Sequence, residues 1–136
     1  MTLTYNNDQH RLYLEFTDGI GQAWVEIFEG DTDFYSAAFW DLLTNIWRAP
    51  IPVRKTDALN FMTAIKSPHT AGKYIEQALE IGYLIETDNP KDARSKLIAL
   101  SPEIRERMDG FFDTVVGKWR TTILEVEKRG PSPEIG

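Results

Sequence analysis

The chain has 136 residues, 15 Lys+Arg against 21 Asp+Glu, and a formal net charge of −6. Its 42% hydrophobic and 12% aromatic content can build one core, which excludes global disorder. The absence of cysteine excludes disulfides, thiol redox switching and a cysteine zinc site. No apolar run nears the roughly 18 residues of a membrane span, and no N-terminal signal pattern is visible. The expectation is a soluble, cytoplasmic protein with no membrane contact.

At face value the acidity argues against a nucleic-acid partner, because phosphate repels net negative charge. Its distribution says otherwise. Residues 1–50 carry two bases against eight acids, so the whole excess lies there. Residues 54–73 hold Arg54, Lys55, Lys66 and Lys73 against Asp57 alone, and residues 91–96 hold Lys91, Arg94 and Lys96 against Asp92. Between these clusters lie Glu76, Glu80, Glu86 and Asp88.

Taken in chain order, Leu12, Phe16, Trp24, Ile27 and Phe28 share one helical face, and the pattern predicts a helix broken near Asp18–Gly21. A hairpin around Thr17-Asp18-Gly19 is the alternative. Asp31, Thr32 and Asp33 supply cap oxygens for a second helix, whose stripe is Tyr35, Phe39, Leu42, Leu43 and Ile46. Pro50 and Pro52 end it. Thr56 or Asp57 caps a short third helix, with Leu59, Met62 and Ile65 inside. After a very short turn at Lys66, Ser67-Pro68 opens a fourth helix and Gly82 closes it. Its inner residues are Ala71, Tyr74, Ile75, Ala78 and Leu79.

Tyr83–Thr87 and Lys96–Leu100 read as two strands, joined by the turn-forming Asp88-Asn89-Pro90-Lys91-Asp92. Ser101-Pro102-Glu103 restarts a helix with the stripe Ile104, Met108, Phe111, Phe112, Val115, Trp119, Ile123 and Val126. At 1.5 Å per residue it is about 40 Å long, more than a domain this small needs to cover its own core. Residues 130–136 are expected to form a disordered tail.

Helix, helix, helix, β-hairpin, long helix is the order of a winged helix-turn-helix, with the second and third of those helices, Thr56–Ile65 and Ser67–Ile81, as the helix-turn-helix pair and the hairpin as the wing. The fold class expected is therefore mainly α with a small β-hairpin wing and flanking dimerisation helices. Its parts are a helical dimerisation segment at 1–33, the winged helix-turn-helix at 34–101 and a dimerisation helix at 102–129.

Gly82-Tyr83-Leu84-Ile85-Glu86-Thr87-Asp88-Asn89-Pro90-Lys91-Asp92-Ala93-Arg94, followed by Leu100-Ser101-Pro102, resembles the signature of MarR-type transcriptional regulators. In that family a wing reading roughly D-P-x-D-x-R precedes an L-T-P-x-G helix start. Upstream, Ser67–Glu76 sits where the family has its recognition helix, with Lys73 at a position usually held by Arg. The resemblance spans about residues 34–116. It implies a homodimer that binds a palindromic operator in double-stranded DNA, with helix 67–81 in the major groove and wing 83–100 at the minor groove.

DNA contacts are expected from Ser67, His69, Thr70, Lys73, Lys91, Asp92, Arg94 and Lys96. His69, Thr70 and Lys73 lie opposite the apolar side of their helix. Gly72 offers close backbone approach or serves packing. Arg94 suits a narrow minor groove, with Asp92 holding it by a charge-assisted hydrogen bond. Each has a plainer role open to it: capping for His69, solvation for Lys73, a surface ion pair for Arg94.

Three residues depart from the family. Glu86 stands where many members have Arg, Ile104 replaces a common Gly, and Ala78 replaces a Leu. With Glu76 and Glu80 they raise a second reading, a winged-helix protein–protein module without DNA binding. Family members often bind small phenolic or aromatic effectors, for which Trp24, Trp40, Trp47, Trp119 and Tyr13 are candidate lining residues, or simply core. No enzyme is expected. The chain has two histidines and no cysteine, with no nucleophile-elbow, phosphate-loop or zinc-protease motif, and no metal or cofactor is implied.

Overall fold

Asn6 opens the first helix, α1 (Asn7–Ile27), through a capping box. Its side chain accepts from the Gln9 amide at 2.9 Å, and the Gln9 side chain accepts from the Asn6 amide at 2.9 Å. Two orphan amides of the first turn are thereby satisfied. The helix runs without the break expected near Asp18–Gly21. Gly19 costs a helix only about 1 kcal/mol relative to Ala. The buried Trp24 and Ile27 repay that cost through packing.

The structure, a computed structural model, describes residues 1–130; residues 131–136 of the expected tail lie outside them. The chain divides into two compact units, residues 1–30 with 109–130, and Asp31–Met108. The second boundary falls inside the long helix α5 (Pro102–Lys128), which begins in the 31–108 unit.

In the first unit α1 lies antiparallel to the later part of α5. Gln9 Nε2 donates to the Val126 carbonyl at 2.7 Å and Asn6 Nδ2 to the Arg129 carbonyl at 2.9 Å. At the other end Trp24 meets Phe111 edge to face, with ring centroids 5.6 Å apart. The apolar stripe of α5 is not buried throughout. Phe111 is buried, but Trp119 is 55% exposed and Ile123 43%.

In the second unit Asp31 caps a single 3-10 turn, Thr32–Phe34, and not the second helix. Helix α2 (Ala37–Arg48) is capped by Ser36, whose hydroxyl accepts from the Phe39 amide at 3.2 Å. Phe34 is the physical reason for this later start. It is buried against Phe39 and Tyr83, with centroids 4.4 and 4.9 Å away, so the chain turns there before the helix starts. Tyr35, expected in the stripe, is exposed.

The third helix is shorter than its apolar spacing predicts. Helix α3 (Lys55–Ala58) has no side-chain cap, and it tightens into a 3-10 turn at Leu59–Phe61. Met62 is buried through this turn, not through a helix reaching Ile65. One α-turn forms too few hydrogen bonds to propagate alone, so tertiary anchoring of Ala58 and Met62 sets the local path. Helix α4 (Pro68–Ile81) follows its sequence signals: Ser67 is the N-cap, Pro68 starts the helix, and Ala71, Ile75 and Ala78 are buried.

The sheet has three strands where two are expected. Strands β2 (Leu84–Asp88) and β3 (Lys96–Leu100) form the hairpin, and β1 (Val53–Arg54) pairs antiparallel on the other side of β3. Two residues carry no readable periodicity, so β1 is set by its partner. Leu84, Ile98, Leu100, Ile104 and Met108 complete the core of this unit.

Gly82 ends α4 at φ +90°, a left-handed conformation. The Gly82 and Tyr83 amides donate back to the Leu79 and Ala78 carbonyls at 3.1 and 3.0 Å. Nothing lies within 4 Å of a Cβ built there, so Gly82→Ala carries a backbone penalty alone. It is expected to lower unfolding free energy by about 1 kcal/mol in a denaturant titration. An unchanged midpoint would contradict the left-handed cap.

Candidate nucleic-acid interface

The exposed side of α4 follows from what the helix buries. With Ala71, Ile75 and Ala78 inward, His69, Thr70, Lys73, Glu76 and Glu80 are exposed. Ser67 is also exposed, and its hydroxyl accepts from the Thr70 amide at 3.4 Å. The first turns of α4 thus present His69, Thr70 and Lys73 together beside a helix N-terminus, where amide N–H groups and the positive dipole end favour an anion. A Cβ built on Gly72 would meet only Leu59 Cδ2, at 4.0 Å, which is ordinary contact. Packing therefore does not require glycine there.

The wing loop is held by its own polar side chains. Asn89 Oδ1 accepts from the Lys91 amide at 3.0 Å, and Asn89 Nδ2 donates to Ser95 Oγ at 2.9 Å. Asp92 Oδ1 accepts from the Arg94 amide at 3.0 Å. Asp92 therefore orients the Arg94 backbone, while its ion pair to Arg94 Nε is longer, at 3.6 Å. The Arg94 side chain is 94% exposed and projects from the loop. The Asn-x-x-x-x-x-Ser spacing by which Asn89 and Ser95 close the loop has no distinctive sequence signature.

Ion pairing sorts the cations. Arg54 pairs with Asp57 at 3.5 Å, and Lys55 with Glu76 and Glu86 at 2.6 and 2.8 Å. Lys96 is hydrogen-bonded to Asp88, its partner across the β2–β3 ladder. That bond and the paired charge hold the Asp88 carboxyl below the usual carboxylate range and the Lys96 ammonium above the usual lysine value. Lys66, Lys73 and Lys91 make no ion pair among the described residues. Within residues 54–73 and 91–96 the cations available to an outside anion are thus Lys66, Lys73, Lys91 and the loosely held Arg94. Lys96 is already engaged.

The expected tryptophans divide between the units. Trp24 is core in the first, against Phe28 and Phe111. Trp119, also there, is exposed, as is Tyr13. In the second unit Trp40 is 39% exposed. Trp47 lines a cleft of about 570 Å³ with Ile46, Arg48, Pro50, Ile51, Leu100 and Arg105. The Arg105 guanidinium lies 5.9 Å from the Trp47 ring centroid and donates to the Trp47 carbonyl at 3.3 Å.

No protein-family model matches the chain, and no curated protein matches it in sequence. Solved structures do match in fold. A MarR-like transcription regulator from Bacillus cereus aligns with TM-score 0.53 at 15% identity, over 90% of this chain and 79% of its own. A MarR family transcriptional regulator from Streptomyces coelicolor, solved in complex with DNA, aligns with TM-score 0.54 at 17% identity, over 90% of this chain and 73% of its own. A transcriptional regulator from Thermotoga maritima aligns with TM-score 0.51 at 17% identity, over 90% and 91%. With five α-helices and a three-stranded antiparallel sheet among the described residues, the chain has the winged helix-turn-helix fold of MarR-type regulators.

Proposed function

We propose that the protein is a DNA-binding transcriptional regulator of the MarR type, cytoplasmic and without catalytic chemistry. The observation that carries this reading is the exposed first half of α4. There His69, Thr70 and the unpaired Lys73 stand at a capped helix N-terminus, opposite a buried side of small and branched residues. The wing supports it with Lys91 and Arg94 on a hydrogen-bonded loop. In this reading α4 enters the major groove and supplies base and phosphate contacts, while Arg94 reaches the minor groove. Gly72, not needed for packing, lets a phosphate approach the helix.

The operator-bound form is a homodimer. Tyr13 and Leu14 on α1, and Val116, Trp119, Ile123 and Leu124 on α5, are each at least 43% exposed in one unit. So much apolar surface on two adjacent helices is what a partner covers. A symmetric dimer places two weakly charged surfaces on a palindrome.

The Trp47 cleft suits a small aromatic anion as effector. It has an indole face, apolar walls and two arginines, with no carboxylate among its lining residues. Tryptophan fluorescence should be quenched saturably by benzoate in the wild type and not in Arg105→Ala. Equal quenching in both would rule the cleft out as the effector site.

For DNA, mobility shifts with the native upstream region should show a complex at about 50 mM salt whose affinity falls steeply as salt rises. Lys73→Ala with Arg94→Ala is expected to weaken it about tenfold or more and to lower the log–log salt slope by about two. No shift at low salt, with protein association instead, would favour the protein-module reading that Glu76 and Glu86 suggest.

A further inference from the structure

Lys55 is the first residue of α3. Its ammonium lies 2.6 Å from Glu76 Oε1 on α4 and 2.8 Å from Glu86 Oε2 on β2. One cation therefore joins the first helix of the helix-turn-helix, the proposed recognition helix and the wing strand. The Lys55 and Glu86 side chains are 31% and 33% exposed and Glu76 is 63% exposed, so the contact to Glu86 is the better shielded of the two and the contact to Glu76 is partly screened by solvent. Burial works against the Lys55 charge, and the hydrogen bonds and charges of the two carboxylates outweigh it, holding the ammonium above the usual lysine value. A compact ammonium with three donors can take two carboxylates at once, where a planar guanidinium prefers one in bidentate geometry.

We infer that Lys55 is a positioning residue that ties the wing strand to the recognition helix and neutralises Glu76 and Glu86 beside the DNA-facing surface. Glu76 follows Lys73 by three residues, so both lie on one exposed side of α4. Left without a counter-ion, that carboxylate would oppose the phosphate that Lys73 attracts. Glu86 sits at the foot of the wing, opposite Ile98 in the β2–β3 register. With Lys55 in place an acidic residue at this position becomes a strut between elements.

The effect on affinity rests on the DNA-binding reading; the mechanical tie does not. The test therefore uses two readouts on the full chain: affinity for the shifted DNA, and amide hydrogen exchange of β2 and β3 without DNA. Lys55→Met should weaken DNA binding about fivefold or more at about 100 mM salt. It should also speed wing exchange at least about threefold. Lys55→Arg, which keeps the charge but favours one carboxylate, should fall between wild type and Lys55→Met in both. Adding Glu76→Gln and Glu86→Gln to Lys55→Met removes the uncompensated carboxylates but not the loss of the tie, so affinity should recover at least about twofold over Lys55→Met yet stay below wild type, while wing exchange stays fast.

Wing exchange unchanged in Lys55→Met overturns the positioning role. A triple variant that binds no better than Lys55→Met overturns the neutralising role. If wild type binds no DNA, the regulator reading fails, and exchange alone decides whether Lys55 ties the wing.

Discussion

Ile98 is fully buried in the central strand of the sheet, and the geometry of the second unit depends on that strand. On one side β3 pairs with β1, placing Val53 opposite Ile98. On the other it pairs with β2, placing Glu86 opposite Ile98. A one-residue slip would turn Ile98 and Leu100 out of the core, so burial locks the register. The register then sets everything next to it. Strand β1 runs directly into α3, which brings Lys55 to Glu86. The wing loop leaves β2 and returns to β3 across the Asp88–Lys96 pair. An apolar constraint in the core thereby fixes polar geometry at the surface.

Much of this was legible in the residues. Ser67-Pro68 and Gly82 bracket α4 because capping and left-handed geometry depend on local chemistry alone. The hairpin was legible for the same reason, since Asn89, Pro90 and Asp92 have few other uses in sequence. What was not legible depended on partners distant in the chain. Strand β1 is two residues long and exists because β3 is beside it. Helix α3 stops early because Ala58 and Met62 are held by the core, whatever the spacing of Leu59, Met62 and Ile65 suggests. The continuous α1 hid behind Gly19 and Gly21, whose cost is small against the burial of Trp24. The Lys55 group could not be read at all, because its members are separated by tens of residues and each looks like an ordinary surface charge.

The net charge of −6 takes on a specific meaning at the level of single atoms. Of the basic residues counted at 54–73 and 91–96, Arg54, Lys55 and Lys96 are occupied by nearby carboxylates. Lys66, Lys73, Lys91 and Arg94 remain for an external anion. A surface with so few available cations gains little from general attraction to phosphate, so non-specific binding should be weak. On the proposed function, specific affinity would come from positioned contacts and from using the surface twice, which places a premium on a wing held in register and on the proposed symmetric pair of chains.

That account is tested most directly by selecting bound sequences from a random DNA pool with the purified full chain at about 100 mM salt. It predicts enrichment of a palindrome whose half-sites lie about one helical turn apart, the spacing two recognition helices impose. A pool that shows no enriched sequence over its input would contradict it.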